Sequence, residues 1–420
     1  MTTPPRWTRA AGGERGSVLI QVAVSLLALL ALAAFVIDYG VMWASRGQAQ
    51  TSADAGALAG AISLAFDSPT DQVGARVRAI AVAGRNRVWG RDPGIGDGDV
   101  TFPACPPGTP GLADTCVKVD VFRNQARGNP LPTFFGRLAG VMSQGVRATA
   151  TAQLATGNAT DCLRPWAVAD RWEEHWENGK PSIVAWTPSS IFDKYDKFGN
   201  LDPKVTTPDV YRAPTKLDPG TGLTAFDANG NPSPEYGMQL TLKNGDSKQN
   251  ISSGWFLALN LPDGNGNPTN GGSTYRDNIS TCNPHVFAIG DSLSVDSNQG
   301  NMVGPTQQGV NDLVALDPSA SWNASTKSVQ NSCAPGTCAG RYYARSPRIV
   351  AVALFNLDAY FAGTPNGKST VPITNIVGFF VEGVSGKDVQ GRLVSIPGTT
   401  VGSSAVANSA SFLRTILLVR

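Results

Sequence analysis

The side chains that could hold a ligand or do chemistry fall into a few short runs. Asp317, Ser319 and Ser321 form a D-x-S-x-S run, a spacing that can offer one carboxylate and two hydroxyls to a divalent cation. That chemistry needs a strand to deliver the aspartate and later loops to add oxygen ligands. Here Val310, Leu313, Val314 and Leu316 approach the run at helical spacing. Pro318 therefore reads as a helix stop, with Trp322 packing below it. Asp227, Asn229 and Asn231, and again Asp263, Asn265 and Asn267, place oxygens at alternate positions as calcium loops do, and Glu235 follows the first. Neither run has the glycine at position six or the glutamate at position twelve of an EF-hand. Asx turns account for both without a metal. The histidines are His175, in RWEEHWE, and His285. There is no HExxH and no GxSxG before a strand, and nothing places a nucleophile beside either ring. The run GNMVGPT at 300–306 lacks the Gly-Lys-Ser/Thr of a phosphate loop, so Thr306 reads as a helix cap. The expectation is a protein that is not an enzyme and needs no cofactor, with calcium at the two Asp–Asn loops as the ionic alternative.

Six cysteines remain: Cys105, Cys116, Cys162, Cys282, Cys333 and Cys338. An even number with no CxxC reads as disulfides in an oxidising compartment rather than a zinc site. Proximity favours Cys105–Cys116 and Cys333–Cys338, which leaves Cys162–Cys282. Trp166, Trp172, Trp176 and Trp186 crowd one segment and read as packing residues before a sugar platform.

The elements that must position these residues begin with an anchor. The run SVLIQVAVSLLALLALAAFVI at 17–37 has no charge and is long enough to cross a bilayer as a helix. Arg6, Arg9 and Arg15 precede it against a single Glu14, and Asp38 follows it. The expected topology is a cytoplasmic N-terminal tail at 1–16, a span at 17–37 and an extracytoplasmic remainder. A cleaved secretory signal is the competing reading, but residues 38–43, DYGVMW, offer no clear small-x-small cleavage site close to the apolar edge. Net charge is only +2, which argues against a nucleic-acid partner.

From 38 to 66 there is no proline, so the helix should continue beyond the membrane. Ala49, Ala53, Gly56, Ala57 and Gly60 recur at three- and four-residue steps, a smooth stripe for close helix packing, within the chain or with a partner. Ser68-Pro69-Thr70-Asp71 predicts a second helix capped by Ser68 and ending near Gly90. Strands are expected at 100–103, 116–123 and 146–152, with a short amphipathic helix at 132–140. Residues 156–420 are dense in turn signals, with strands expected near 238–242, 255–259, 286–289, 349–355 and 373–381 and a helix at 307–316. The fold class is α+β: a long transmembrane helix continuing into an α+β module at 38–155, then a β-rich domain at 156–420.

The stretch ERGSVLIQVAVSLLALLALAAFVIDYG, then SRGQAQTSADAGALAGA, resembles the N-terminal segment of TadG-like proteins of the Tad (Flp) pilus assembly system. PTFFGRLAG and VRATATAQ resemble the close of that family's pilin-like module. The resemblance implies a membrane-anchored minor pilin or assembly component, acting in pilus biogenesis and adhesion through other Tad components or pilins. It also implies a prepilin-type processing site between Gly16 and Ser17, although the fifth residue after Gly16 is Gln21 and not glutamate. Many relatives carry a von Willebrand A domain, which would make Asp317 part of a metal-dependent adhesin. That is the alternative reading, and a secreted hydrolase is the distant third.

Overall fold

The structure is a computed structural model. It describes residues 14–105, 116–175, 183–196, 198–227, 229–245, 251–263, 265–297, 299–333, 345–362, 370–402 and 408–419. The fold is α+β. One helix, α1 (Glu14–Ile62), runs for 49 residues, about 74 Å at 1.5 Å per residue. It has no proline to break it. Residues 14–16, expected in the tail, already belong to it.

A π-helical turn, Ser63–Asp67, ends the run, and α2 (Gln72–Arg85) follows. Ser68 does not cap α2. Its position before Pro69 holds it extended, at φ −153° and ψ 114°, and its hydroxyl donates to the Thr326 carbonyl at 2.9 Å. Asp71 is the cap, accepting the Gly74 N–H at 2.8 Å. The helix ends at Arg85, short of the expected Gly90, which sits at φ +71° in a turn bridged by Val88 and Arg91.

The chain forms two compact units, neither contiguous in sequence: residues 1–56, 80–99 and 119–150, and residues 57–79, 100–118 and 151–420. In the first, α1 buries Ala49 and Ala53 completely. Ser52 Oγ donates to the Ala83 carbonyl at 2.9 Å, and the Trp89 N–H to Gln48 Oε1 at 2.6 Å. The buried Arg123 guanidinium donates to the carbonyls of Val88, Asn129 and Pro130, so one side chain ties together two loop segments. The strands β1 (Cys116–Arg123) and β2 (Val146–Thr156) are neighbours in a five-stranded sheet. The helix expected at 132–140 is absent. Leu131–Pro132 pairs with Ser143–Gln144 as a hairpin, and the only helical turn between them is the 3-10 turn Gly136–Ala139. Pro132, Gly136 and Gly140, the last at φ +82°, leave too few consecutive residues to nucleate an α-helix.

In the second unit α1 buries Ala57 and Ala61. A Cβ on Gly60 would lie 2.8 Å from Val117 Cγ1, so glycine permits that approach. The main sheet uses β3 (Leu163–Ala169), β4 (Gln239–Asn244), β5 (Trp255–Ala258), β6 (Ile349–Phe355), β7 (Thr370–Ser385) and β8 (Asp388–Val394). The pairing runs β7-β6-β3-β5-β4-β8, and β8 pairs back onto β7, so the six strands close into a barrel. Alternate residues from all six gather in one cluster, among them Val168, Leu242, Phe256, Val352, Phe379 and Leu393. That cluster is the interior. Tyr275 and Ile279 of α3 (Gly272–Ser280) and Val310 and Leu313 of α4 (Val303–Leu316) pack into it. A second cluster, including Leu163, Ala167, Leu257 and Phe355, covers the outer face of β3, β5 and β6. Burial on both faces explains why IVAVALF in β6 reads as a continuous apolar run. Strand β9 (Leu413–Val419) pairs antiparallel with residues 151–156 of β2.

Two disulfides join Cys105 to Cys116 and Cys162 to Cys282. Cys333 is also disulfide-bonded, while Cys338 lies outside the described residues. The Cys162–Cys282 bridge spans 120 residues, a length for which chain entropy alone contributes about 4–5 kcal/mol. Urea denaturation of C162S/C282S should therefore show a loss of about 2–5 kcal/mol against the oxidised parent. An unchanged midpoint would mean that the bridge constrains nothing.

Candidate functional site

The residues that matter most gather where the apolar run ends. Every large side chain at 18–37 is exposed, and this stretch of α1 is long and apolar enough to cross a membrane. Asp38 closes it. Its carboxylate accepts three backbone N–H groups of the hairpin loop: Phe134 at 2.7 Å, Phe135 at 3.1 Å and Gly136 at 2.6 Å. Its carbonyl accepts from Gln144 Nε2 at 3.1 Å, and the same amide reaches the Pro132 carbonyl at 3.2 Å. Thr133 Oγ1 donates to the Val141 carbonyl at 2.7 Å, and the Val141 N–H to the Gly136 carbonyl at 2.8 Å. A Cβ on Gly136 would stand 3.2 Å from Asp38 Oδ2, tight against the carboxylate the loop amides must reach. The arrangement is a charge-assisted clasp between helix and hairpin. Phe35, Tyr39 and Trp43 stack in sequence along one face of α1 across this point, with centroids 5.8 and 6.4 Å apart. IDYG and PTFFGRLAG are thus two halves of one contact, which neither run reveals alone.

Other residues singled out in the sequence lie elsewhere. Ala49, Ala53, Gly56, Ala57 and Gly60 are buried in the chain's own fold, so that stripe is occupied. Gly16 and Ser17 lie within α1. Asp317 is fully buried, accepting from Ser332 Oγ and the Cys333 N–H at 2.8 Å each. Ser319 donates to the Asn331 carbonyl, and Ser321 accepts from Asn331 Nδ2. The D-x-S-x-S oxygens are committed to a turn at the C-terminus of α4. Arg348 fixes that turn, donating to the Asp317 and Ala320 carbonyls at 3.0 Å. Nothing in the sequence marks that role. Thr306 is no cap, because α4 starts at Val303. Its hydroxyl donates to the Met302 carbonyl at 2.7 Å, and its Oγ1 lies 3.2 Å from Tyr275 Oη.

The two Asp–Asn loops are copies of one turn. Asp227 Oδ1 accepts the N–H of Asn229 and Asn231, and Asp263 Oδ1 that of Asn265 and Asn267. Asp196 does the same with Phe198 and Asn200. D-x-x-G-N recurs at all three, with glycines at φ between +81° and +85°. Trp166 and Trp172 are core residues, Trp186 packs against the core, and Trp176 lies outside the described residues. His175 donates its N–H to Asp209, and its Nε2 lies 3.4 Å from Glu173 Oε1. His285 is exposed against Phe287.

Two buried carboxylates are the other feature the sequence did not show. Asp170 is fully buried and accepts from the Arg171 and Leu223 N–H groups and from Tyr211 Oη. Burial outweighs these bonds and pushes its carboxyl up to about 6. Burial likewise raises Asp209, to about 7, against the His175 N–H and with the Glu174 carboxylate adding to the rise.

Residues 16–63 match the model of a protein family described as Tad, putative Flp pilus-assembly TadE/G-like. The matched segment is the apolar run, Asp38 and the small-residue helix beyond it. No curated protein and no solved structure matches the chain.

Two outcomes are expected. In Asp38→Ala the amides of residues 134–136 should exchange with deuterium faster than in the parent, while α2 keeps its protection. Equal exchange at 134–136 would mean the clasp is not formed. Asp170 binds a proton more tightly folded than unfolded, so its contribution is present below the unfolded pKa and is lost as pH rises from about 4 through about 6. Stability should fall across that window by on the order of 2–3 kcal/mol from this group. Asp170→Asn can keep both amide bonds and donate to Tyr211, so pH-dependent melting of this variant should lose that part of the slope.

Proposed function

We propose that this chain is a non-enzymatic, single-pass component of a Tad/Flp-type pilus apparatus, with its N-terminus in the cytoplasm and residues 38–420 outside the membrane. The observation that carries this is the TadE/G-like match falling on a helix whose apolar residues are uncovered over 18–37. The arginines at 6, 9 and 15 support the orientation, and the disulfides support an oxidising, extracytoplasmic compartment.

The role is structural: minor pilin, or anchor beside the assembly platform. The stripe from Ala49 to Gly60 packs within the chain, so contact with pilin helices or other Tad components would use the exposed stretch of α1 before Val41. The barrel, with its turn-rich surface, would present loops for adhesion or for partners.

Peptide mass spectrometry of sheared filaments and of membranes decides between the roles. A chain beginning at Ser17 in filaments identifies a processed minor pilin. An intact chain confined to membranes identifies an anchoring component. A released chain beginning beyond Ile37 would overturn the membrane reading altogether.

A further inference from the structure

The hairpin loop carries a patch that its own fold leaves uncovered. Phe134, Phe135, Leu138, Val141 and Met142 are 54, 39, 88, 51 and 68 % exposed. The loop is nonetheless held by the Thr133, Gln144 and Asp38 hydrogen bonds, so these side chains are displayed by a fixed backbone. Full burial of one such side chain is worth about 1.5–3 kcal/mol, so a held display of five calls for an occupant.

We propose that this loop is a membrane foot: its apolar side chains enter the outer boundary of the same bilayer that α1 spans. The depth follows from the clasp. Residues 17–37 make about 32 Å of helix, the thickness of a hydrocarbon core. Asp38 is the next residue and holds the Phe134, Phe135 and Gly136 amides directly. The loop therefore lies level with the end of the apolar run, beside the lipid. The headgroup zone is roughly 5–8 Å deep on each side. Trp43 stands five residues past Asp38, about 8 Å along the axis, so the Phe35–Tyr39–Trp43 stack crosses that zone as an interfacial aromatic belt does. Arg137 is exposed between the apolar residues, placed to meet lipid phosphate. Irregular backbone is excluded from the hydrocarbon itself, so the insertion is shallow and made by side chains. A protein partner would leave the coincidence of depth unexplained.

The inference rests on the spanning reading of 17–37, and the test separates the two. Full-length chain carrying a single nitroxide on Leu27→Cys, Leu138→Cys, Met142→Cys or Arg87→Cys is placed one copy per phospholipid nanodisc, without reductant. Arg87 is an exposed control beside the Trp89 N–H, which bonds Gln48, ten residues or about 15 Å beyond Asp38 on α1. Electron spin relaxation by oxygen should exceed that by a water-soluble nickel complex at 27, 138 and 142, with the order reversed at 87. Lipid access at 27 with 138 and 142 behaving like 87 overturns the foot and leaves the anchor standing. Water access at 27 overturns the anchor, and the foot with it.

Discussion

Along α1 the surroundings of one unbroken helix change at Asp38. Before it, every large side chain is uncovered; beyond it, alanines at 49, 53, 57 and 61 have no exposed surface at all. A helix suits both settings because its backbone bonds are internal, which lipid demands and a packed interior tolerates. What differs is side-chain size. Leucine and valine suit hydrocarbon, while alanine and glycine let other elements approach to contact distance. Asp38 belongs to neither set. Its carboxylate sits where the apolar run stops, and the loop amides of residues 134–136 complete its hydrogen bonding.

The first unit depends on polar side chains that reach the backbone of distant segments. Asp38, Arg123, Ser52 and Gln48 each bond a main-chain group of a segment distant in sequence. Buried main-chain groups must find partners somewhere, and these side chains supply them where no strand or helix does. The second unit rests on closure. Pairing of β7 with β8 turns an open sheet into a barrel, which leaves no unpaired edge between those strands and encloses an apolar interior. Gly391 of β8 shows how tightly that interior is filled, since a Cβ there would lie 2.5 Å from the Phe379 ring.

The D-x-S-x-S run and the Asp–Asn loops show that regularly spaced oxygens have a turn-forming use of their own. In each case the carboxylate is already bonded to main-chain N–H groups of its own turn or of a neighbouring one. The same geometry that makes a tight turn also spaces oxygens regularly.

Local pattern was enough for some of this protein. The absence of charge and proline foretold the long helix, alternation foretold β2, and the unbroken apolar run foretold β6, because these depend on neighbours in sequence and on the solvent they face. Proximity and elimination also found the Cys105–Cys116 and Cys162–Cys282 pairs. The clasp, the closure of the barrel and the role of Arg348 were not legible, because each joins residues far apart in the chain. Asp38 and Gly136 are separated by 98 positions, and no periodicity spans that distance. The helix expected at 132–140 failed for a related reason: its apolar residues looked like one face of a helix. Pro132, Gly136 and Gly140 shaped them into a loop instead, and only the tertiary contact with Asp38 decided where that loop would point its phenylalanines.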